Sequence, residues 1–108
     1  MLASGLNRLL QLIAGARRRT LVLNLSGDAP TVVAGPVLLR SVYVHTVMSA
    51  HAVGFSDGGT EKFIAPALSG AGANLLSGID GGIKFEEDMT ITPNVNSTGV
   101  LVITYDEL

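Results

Sequence analysis

The spacing of apolar residues along the chain changes its period once, at about residue 20. Before that point, apolar residues recur at i, i+3, i+4 and i+7, a spacing typical of one face of an amphipathic helix. These residues are Leu6, Leu9, Leu10 and Ile13. Ser4 is suited to cap the start of such a helix, and the arginines from Arg17 to Arg19 favour its C-terminal end because they complement the helix dipole. The pattern therefore predicts an N-terminal helical arm, residues 1–19.

From Thr20 onward, apolar and polar residues alternate, which is typical of half-buried β-strands. The alternating runs are short, and turn signals such as Gly35-Pro36 and Asp57-Gly58-Gly59 separate them. The predicted strands start near Thr20 and cover Thr31–Ala34, Val37–Ala50, Ala52–Ser56, Thr60–Ala65, Ile83–Glu87, Met89–Thr92 and Thr98–Tyr105. We therefore expect an all-β, antiparallel β-sandwich or jelly roll over residues 20–108, because helices do not separate the strands.

One segment of this domain, Leu68–Gly82, has no regular period and is rich in glycine. We interpret it as a loop that becomes ordered against a neighbouring molecule.

The chain carries few charges for its size. Its 108 residues allow one domain, in which 47% of residues are apolar and 15% are charged, compared with about a quarter charged in an average globular protein. Such a composition leaves much of the surface uncharged, which suits a subunit whose surfaces are covered by neighbours. The absence of cysteine excludes disulfides and thiolate metal sites.

The charges are also unevenly distributed. The first 19 residues contain Arg8 and Arg17–Arg19 but no acidic residue, whereas the rest of the chain is acidic on balance. This asymmetry indicates an arm that contacts something other than its own domain. The predicted partner-binding residues are Leu6, Leu9, Leu10, Ile13, Arg17, Arg18 and Arg19. An acidic protein surface is the expected partner; a solvated helix end is the plain alternative.

Nucleic acid and membrane are alternative partners that we do not expect. Aromatic residues do not alternate with the arginines, and the acidic remainder of the chain opposes a nucleic-acid-binding face. The apolar runs also fall short of the roughly 18 residues that a transmembrane helix needs.

The residues that could carry chemistry do not form a recognisable site. His45 and His51 would lie about 20 Å apart in an extended strand, so we expect ordinary strand histidines. The acidic run Glu86–Asp88, with Asp80 nearby, leaves a cation site conceivable, but a solvated turn is the simpler interpretation. We interpret Asp106-Glu107 as a solvated chain end. The sequence therefore predicts a protein that is not an enzyme and needs no metal or cofactor.

Four parts of the sequence carry a resemblance: the stretches Thr20–Thr31 and Ala34–Val44, the hairpin tip Phe55–Gly58 and the closing strand Gly99–Tyr105. Together they resemble a class of small tailed-bacteriophage virion proteins. The resemblance covers about Thr20 to the C-terminus and excludes the arm. It implies a virion protein of β-sandwich type, a capsid cement or decoration protein that bridges capsid subunits.

Further expectations follow from this resemblance. The partners would be the major capsid protein or other virion proteins, and the protein would be a homo-oligomer, with trimers natural at local three-fold positions. A phage neck or tail component is the alternative within this class. A jelly-roll carbohydrate-binding module is the alternative from another class, although five aromatic residues would have to supply both its core and its sugar platform.

Overall fold

The computed structural model describes residues 17–27, 30–77 and 81–108, which form eight strands and a 3₁₀ turn at Leu25–Gly27. The strands are β1 (Arg17–Asn24), β2 (Thr31–Ala34), β3 (Val37–Thr46), β4 (Val53–Asp57), β5 (Thr60–Ala65), β6 (Ile83–Phe85), β7 (Asp88–Thr92) and β8 (Val100–Glu107). The predicted bounds of β2 and β5 are confirmed, and the other predicted strands overlap those observed. A helix long and apolar enough to cross a membrane is absent from the described residues.

The strands form two antiparallel four-stranded sheets. Sheet A has the order β1-β8-β3-β6, and sheet B has the order β2-β7-β4-β5. The first strand pairs with the last, the second with the seventh, the third with the sixth, and the fourth with the fifth. The pairs β3–β8 and β4–β7 then join these units into sheets. The chain is thus paired as one long hairpin rolled into two layers, and the predicted all-β antiparallel class is confirmed.

A single core lies between the sheets because alternate residues of each strand point inward. On sheet A, the row Leu23–Leu101–Val44 crosses three strands and is buried. On sheet B, Phe55 is fully buried and meets Phe63 edge to face, with ring centroids 5.3 Å apart. Among the described residues, every buried side-chain nitrogen or oxygen has a hydrogen-bond partner. The core is therefore apolar, and its polar exceptions are satisfied.

The two ends of the sandwich differ in the length of their connections. We call one the turn end: short turns join β2 to β3, β4 to β5, and β6 to β7 there, and β1 begins and β8 ends there. We call the other the loop end: it contains the 3₁₀ turn and the loops 47–52, 66–77 and 93–99.

The predicted helix is wrong at its C-terminal end. Arg17–Arg19 belong to β1 and pair with Glu107, Asp106 and Tyr105 of β8. A strand forms here because the β8 ladder and its carboxylates supply partners that an isolated helix end lacks. The rest of the predicted arm, including Leu6, Leu9, Leu10 and Ile13, lies outside the described residues.

The glycine-rich segment was predicted to become ordered against a neighbouring molecule. Its described part is hydrogen-bonded to the chain's own β3 and the residues just after it. The amide N–H groups of Val44 and Met48 donate to the carbonyl oxygens of Ala73 and Ser69, at 2.9 and 3.0 Å, and the Leu75 N–H donates to Val42 at 2.8 Å. This segment therefore covers the part of the β3 edge that the three-residue strand β6 leaves open.

Candidate partner-binding surfaces

A buried carboxylate organises the arginines at the turn end of sheet A. Strand alternation places Asp106 on the outer face of β8, beside Arg18 of β1. The Arg18 guanidinium donates to both oxygens of Asp106, at 2.8 and 3.2 Å. Arg40 lies at a bulge in β3, which turns its side chain so that its Nε is 3.5 Å from Asp106. The Asp106 side chain is only 3% exposed, so the prediction of a solvated chain end is wrong for this residue.

Glu107 binds the other two arginines. The Arg19 Nε donates to Glu107 at 2.7 Å, and the Arg17 Nε lies 3.9 Å from the same oxygen. Hydrogen bonding from Arg19 holds the pKa of Glu107 below its usual range, and hydrogen bonding from Arg18 does the same for the pKa of Asp106. The arginines predicted to meet carboxylates of a partner therefore meet carboxylates of their own domain.

The acidic turn between β6 and β7 is held by a residue that the sequence did not single out. The Asp57 carboxylate accepts the backbone N–H groups of Glu86 and Glu87, at 2.9 and 2.8 Å. These bonds lower the pKa of Asp57, and Lys62 adds a smaller effect from 3.8 Å. Glu86 and Glu87 are exposed, as expected for a solvated turn. The Asp57 carboxylate therefore fixes the turn between β6 and β7.

The charged residues of the described part of the chain lie towards the turn end. In the described part of the chain, every Asp, Glu, Lys and Arg lies in a turn of that end or on the strand residues leading to it. The 3₁₀ turn and the three loops of the opposite end contain none of these residue types within their described ranges. Within the described residues, charge is therefore gathered towards one end of the sandwich.

Three exposed apolar side chains lie in the three loops of the loop end, and we call the surface that they form the loop-end surface. They are Val47 at 55%, Leu68 at 67% and Val95 at 69% exposure. A monomer usually buries or scatters such side chains, so a group of them on one uncharged surface indicates an interaction site.

Ser49 holds these loops together. Its N–H donates to the Thr98 carbonyl at 3.2 Å, and its carbonyl accepts the Leu68 N–H at 2.9 Å. Its hydroxyl accepts the Thr98 N–H at 3.2 Å. Three loops are thus fixed relative to one another by one residue.

The backbone of Leu68 is strained. Its φ is +63°, a left-handed conformation that is uncommon for a branched apolar side chain. Its bond to Ser49 maintains this conformation, which leaves the side chain in solvent. Strain of this kind concentrates at functional sites, and it adds to the exposure of Leu68 as a sign of binding.

Part of the outer face of sheet A is also uncharged. Val22, Val102 and Tyr43 form one row across β1, β8 and β3. The rows on either side, Thr20–Thr104–Ser41 and Asn24–Val100–Thr46, are also uncharged. Three strands therefore carry three adjacent rows without a charge.

The aromatic residues do not form a sugar-binding platform. All five lie in the described part of the chain; Phe55 and Phe85 are buried, Phe63 and Tyr105 are half-buried, and Tyr43 alone is exposed. One exposed ring does not make the row of stacking surfaces that a carbohydrate-binding module uses.

The histidines and acidic residues remain separate. His45 is exposed and bonds its neighbour Thr46, while His51 is half-buried in a loop-end loop. Among the described residues, groups of three or more His, Asp or Glu suited to a metal ion are absent. Asp80, which was weighed as a cation ligand, lies outside those residues.

Sequence reasoning missed the loop-end surface. Leu68 and Val95 fall outside the alternating runs, and Val47 lies near the end of the predicted strand Val37–Ala50, so the sequence pattern did not group the three. The available signal was the lack of charge in all three loops, but only the fold shows that these loops meet.

Comparisons with known proteins leave the chain without an assigned family. Neither a family model, nor a curated protein, nor a solved structure matches it.

Proposed function

We propose that this protein is a structural subunit of a tailed-phage virion, most specifically a cement or decoration protein that bridges capsid subunits. The observation that carries the proposal is the separation of the charged turn end from three loops whose described residues carry no Asp, Glu, Lys or Arg. A bridging protein needs two contact surfaces directed at different neighbours. The loop-end surface is one, and the N-terminal segment joins β1 at the other end of the sandwich. An eight-residue strand separates these ends by about 26 Å.

The strand order agrees with this class of protein. The nested pairing of β1 with β8, β2 with β7, β3 with β6, and β4 with β5 is that of a jelly roll, an architecture common in viral capsid proteins. Fold alone does not define function, because lectins and cupins share this architecture. The uncharged loop-end surface supports assembly over sugar binding, since only Tyr43 among the aromatic residues is exposed.

The N-terminal segment supplies the second contact in this proposal. Leu9, Leu10 and Ile13 are spaced to form an apolar stripe, and each can contribute up to about 1.5–3 kcal/mol when buried against a partner. Arg17–Arg19 are occupied by Asp106 and Glu107, so the apolar stripe is the part that would bind the partner. A neck or tail position would use the same two surfaces.

The test is binding of the full-length protein to phage heads that lack it, measured as bound copies after sedimentation. Val47→Lys places a charge on the loop-end surface and should reduce binding at least about tenfold, because the buried ammonium would lack a partner. Ile64→Lys is the matched control: Ile64 is 49% exposed but lies on sheet B, and its variant should bind normally.

A second variant tests the other contact. Replacing Leu9, Leu10 and Ile13 together with Asp should also abolish binding while the β-domain stays folded. If both variants bind like wild type, the proposed function is wrong; if only Val47→Lys is impaired, the loop-end surface alone makes the contact.

A further inference from the structure

The edges of the two sheets are not equally protected. A free strand edge presents unpaired N–H and C=O groups, and proteins usually shorten, charge or cover it. In sheet B, β2 has four residues between Pro30 and Pro36, and β5 carries Glu61 and Lys62 beside a bulge. Both edges of sheet B are therefore poor templates for another strand.

In sheet A, only one edge is covered. On the β3 side, β6 pairs with Val37–Leu39, and the segment Leu68–Leu75 hydrogen-bonds to β3 and the residues just after it. On the other side, β1 pairs with β8 alone within the described part of the chain. It is eight residues long, and its last five residues, Thr20–Asn24, are uncharged. Among the described edge strands β1 is thus the longest, and most of it lacks a protecting charge.

We propose that β1 is a dimerisation edge, on which the β1 strand of a second copy pairs antiparallel about a two-fold axis at Val22. This pairing goes beyond the proposed function and does not depend on it. Val22 is 67% exposed and would lie opposite Val22 of the partner subunit. The row Tyr43–Val102–Val22 would then continue into the same row of the second copy as one apolar stripe.

The inner face fits the same register. Leu21 points into the sandwich but is only half-buried, because β1 is the outermost strand. With Val22 at the axis, Leu21 would lie beside Leu23 of the partner subunit, so the second copy would cover both leucines. In this register each residue pairs with one whose side chain points to the same face of the sheet, so inward side chains of the two copies lie next to each other.

The arginines favour the antiparallel direction. In a parallel pair, Arg17–Arg19 of the two copies would lie side by side, and like charges directly opposite each other are destabilising. In the proposed register, the two Arg19 residues are about 20 Å apart along the strands, which exceeds a Debye length of about 8 Å at physiological salt. Repulsion between the arginines of the two copies therefore disfavours parallel pairing and favours the antiparallel direction.

The test is sedimentation equilibrium of the full-length protein, which should show a monomer–dimer equilibrium. Val22→Lys places two ammonium groups opposite each other and should raise the dimer Kd at least about tenfold. Val32→Lys is the matched control, because Val32 is 63% exposed and lies on the other outer edge strand, β2. A wild-type monomer, a trimer, or an equal effect of both variants would overturn the proposal.

A cross-linking experiment locates the axis directly. The chain has no cysteine, so Val22→Cys introduces a single thiol. Opposed Cβ atoms of an antiparallel pair lie about 4.5–5.5 Å apart, close enough for a disulfide after a small shift. Val22→Cys should form covalent dimers faster than Val32→Cys. Equal cross-linking rates for the two variants would show that β1 is not the dimer contact. Loss of the dimer on replacing Leu9, Leu10 and Ile13 with Asp would place the contact in the N-terminal segment instead. Normal dimers that fail to bind phage heads would refute only the proposed function.

Discussion

At the scale of single residues, Asp106 decides how the turn end of sheet A is built. Its carboxylate is buried and accepts two hydrogen bonds from Arg18, and Arg40 reaches it from a bulge. Removing the carboxylate would leave two guanidiniums facing each other without their shared counter-ion. The arginine cluster is therefore part of the domain's own stability.

We predict that Asp106→Asn lowers the free energy of unfolding at pH 7 by about 1–3 kcal/mol, since it removes charge-assisted hydrogen bonds. In the folded protein the pKa of Asp106 is depressed, so its stabilisation is complete above about pH 4 and is lost as the pH falls through the folded pKa. Wild-type stability should thus fall below pH 4, and that of Asp106→Asn should fall less. Urea unfolding at pH 7 and pH 3 measures both effects.

The control for this prediction is Glu86→Gln, at an exposed residue of the same end of the molecule. Its stability at pH 7 should stay within about 0.5 kcal/mol of wild type. Equal pH dependence in wild type and Asp106→Asn would show that the Arg18–Asp106 pair does not contribute.

At the scale of elements, β1 begins earlier in the chain than the sequence pattern indicated. The change in apolar period placed the start of this strand at Thr20, but β1 begins at Arg17 and its first three residues pair with β8. The three arginines are thus residues of the sheet.

We predict that a chain beginning at Arg17 is more stable than one beginning at Thr20. The shorter chain loses three rungs of the β1–β8 ladder and leaves Asp106 with Arg40 as its remaining arginine partner. Thermal unfolding followed by circular dichroism should show a Tm lower by several degrees for the chain beginning at Thr20. If the two chains have the same Tm, residues 17–19 do not contribute to the stability of the domain.

Local sequence patterns predicted the elements well where a strand depends on its own alternation and turns. Thr31–Ala34 and Thr60–Ala65 have the bounds that their turn residues indicated. The predictions failed where a residue interacts with a partner that lies far away in the sequence. Arg18 bonds a residue 88 positions away, and Ala73 bonds Val44 across two intervening strands. A local period carries no information about such pairs.

At the scale of the whole molecule, the fold separates charge that the sequence distributes along much of its length. Acidic and basic residues occur from β1 to β8, yet rolling the chain into two layers brings all those of the described residues towards one end. The described residues of the three loops at the opposite end, and the three rows of sheet A around Val22, carry none of them. Our account is that these uncharged surfaces are covered in the assembled particle.

Thiol labelling of two single-cysteine variants tests this claim most directly. Val95→Cys lies on the loop-end surface and Val32→Cys on sheet B, at positions of similar exposure. Labelling rates are compared between the free protein and the protein bound to phage heads. The account predicts that binding slows labelling of Val95→Cys at least about tenfold and leaves Val32→Cys nearly unchanged, because only the first thiol becomes buried. Labelling of bound Val95→Cys at the rate of the free protein would contradict it.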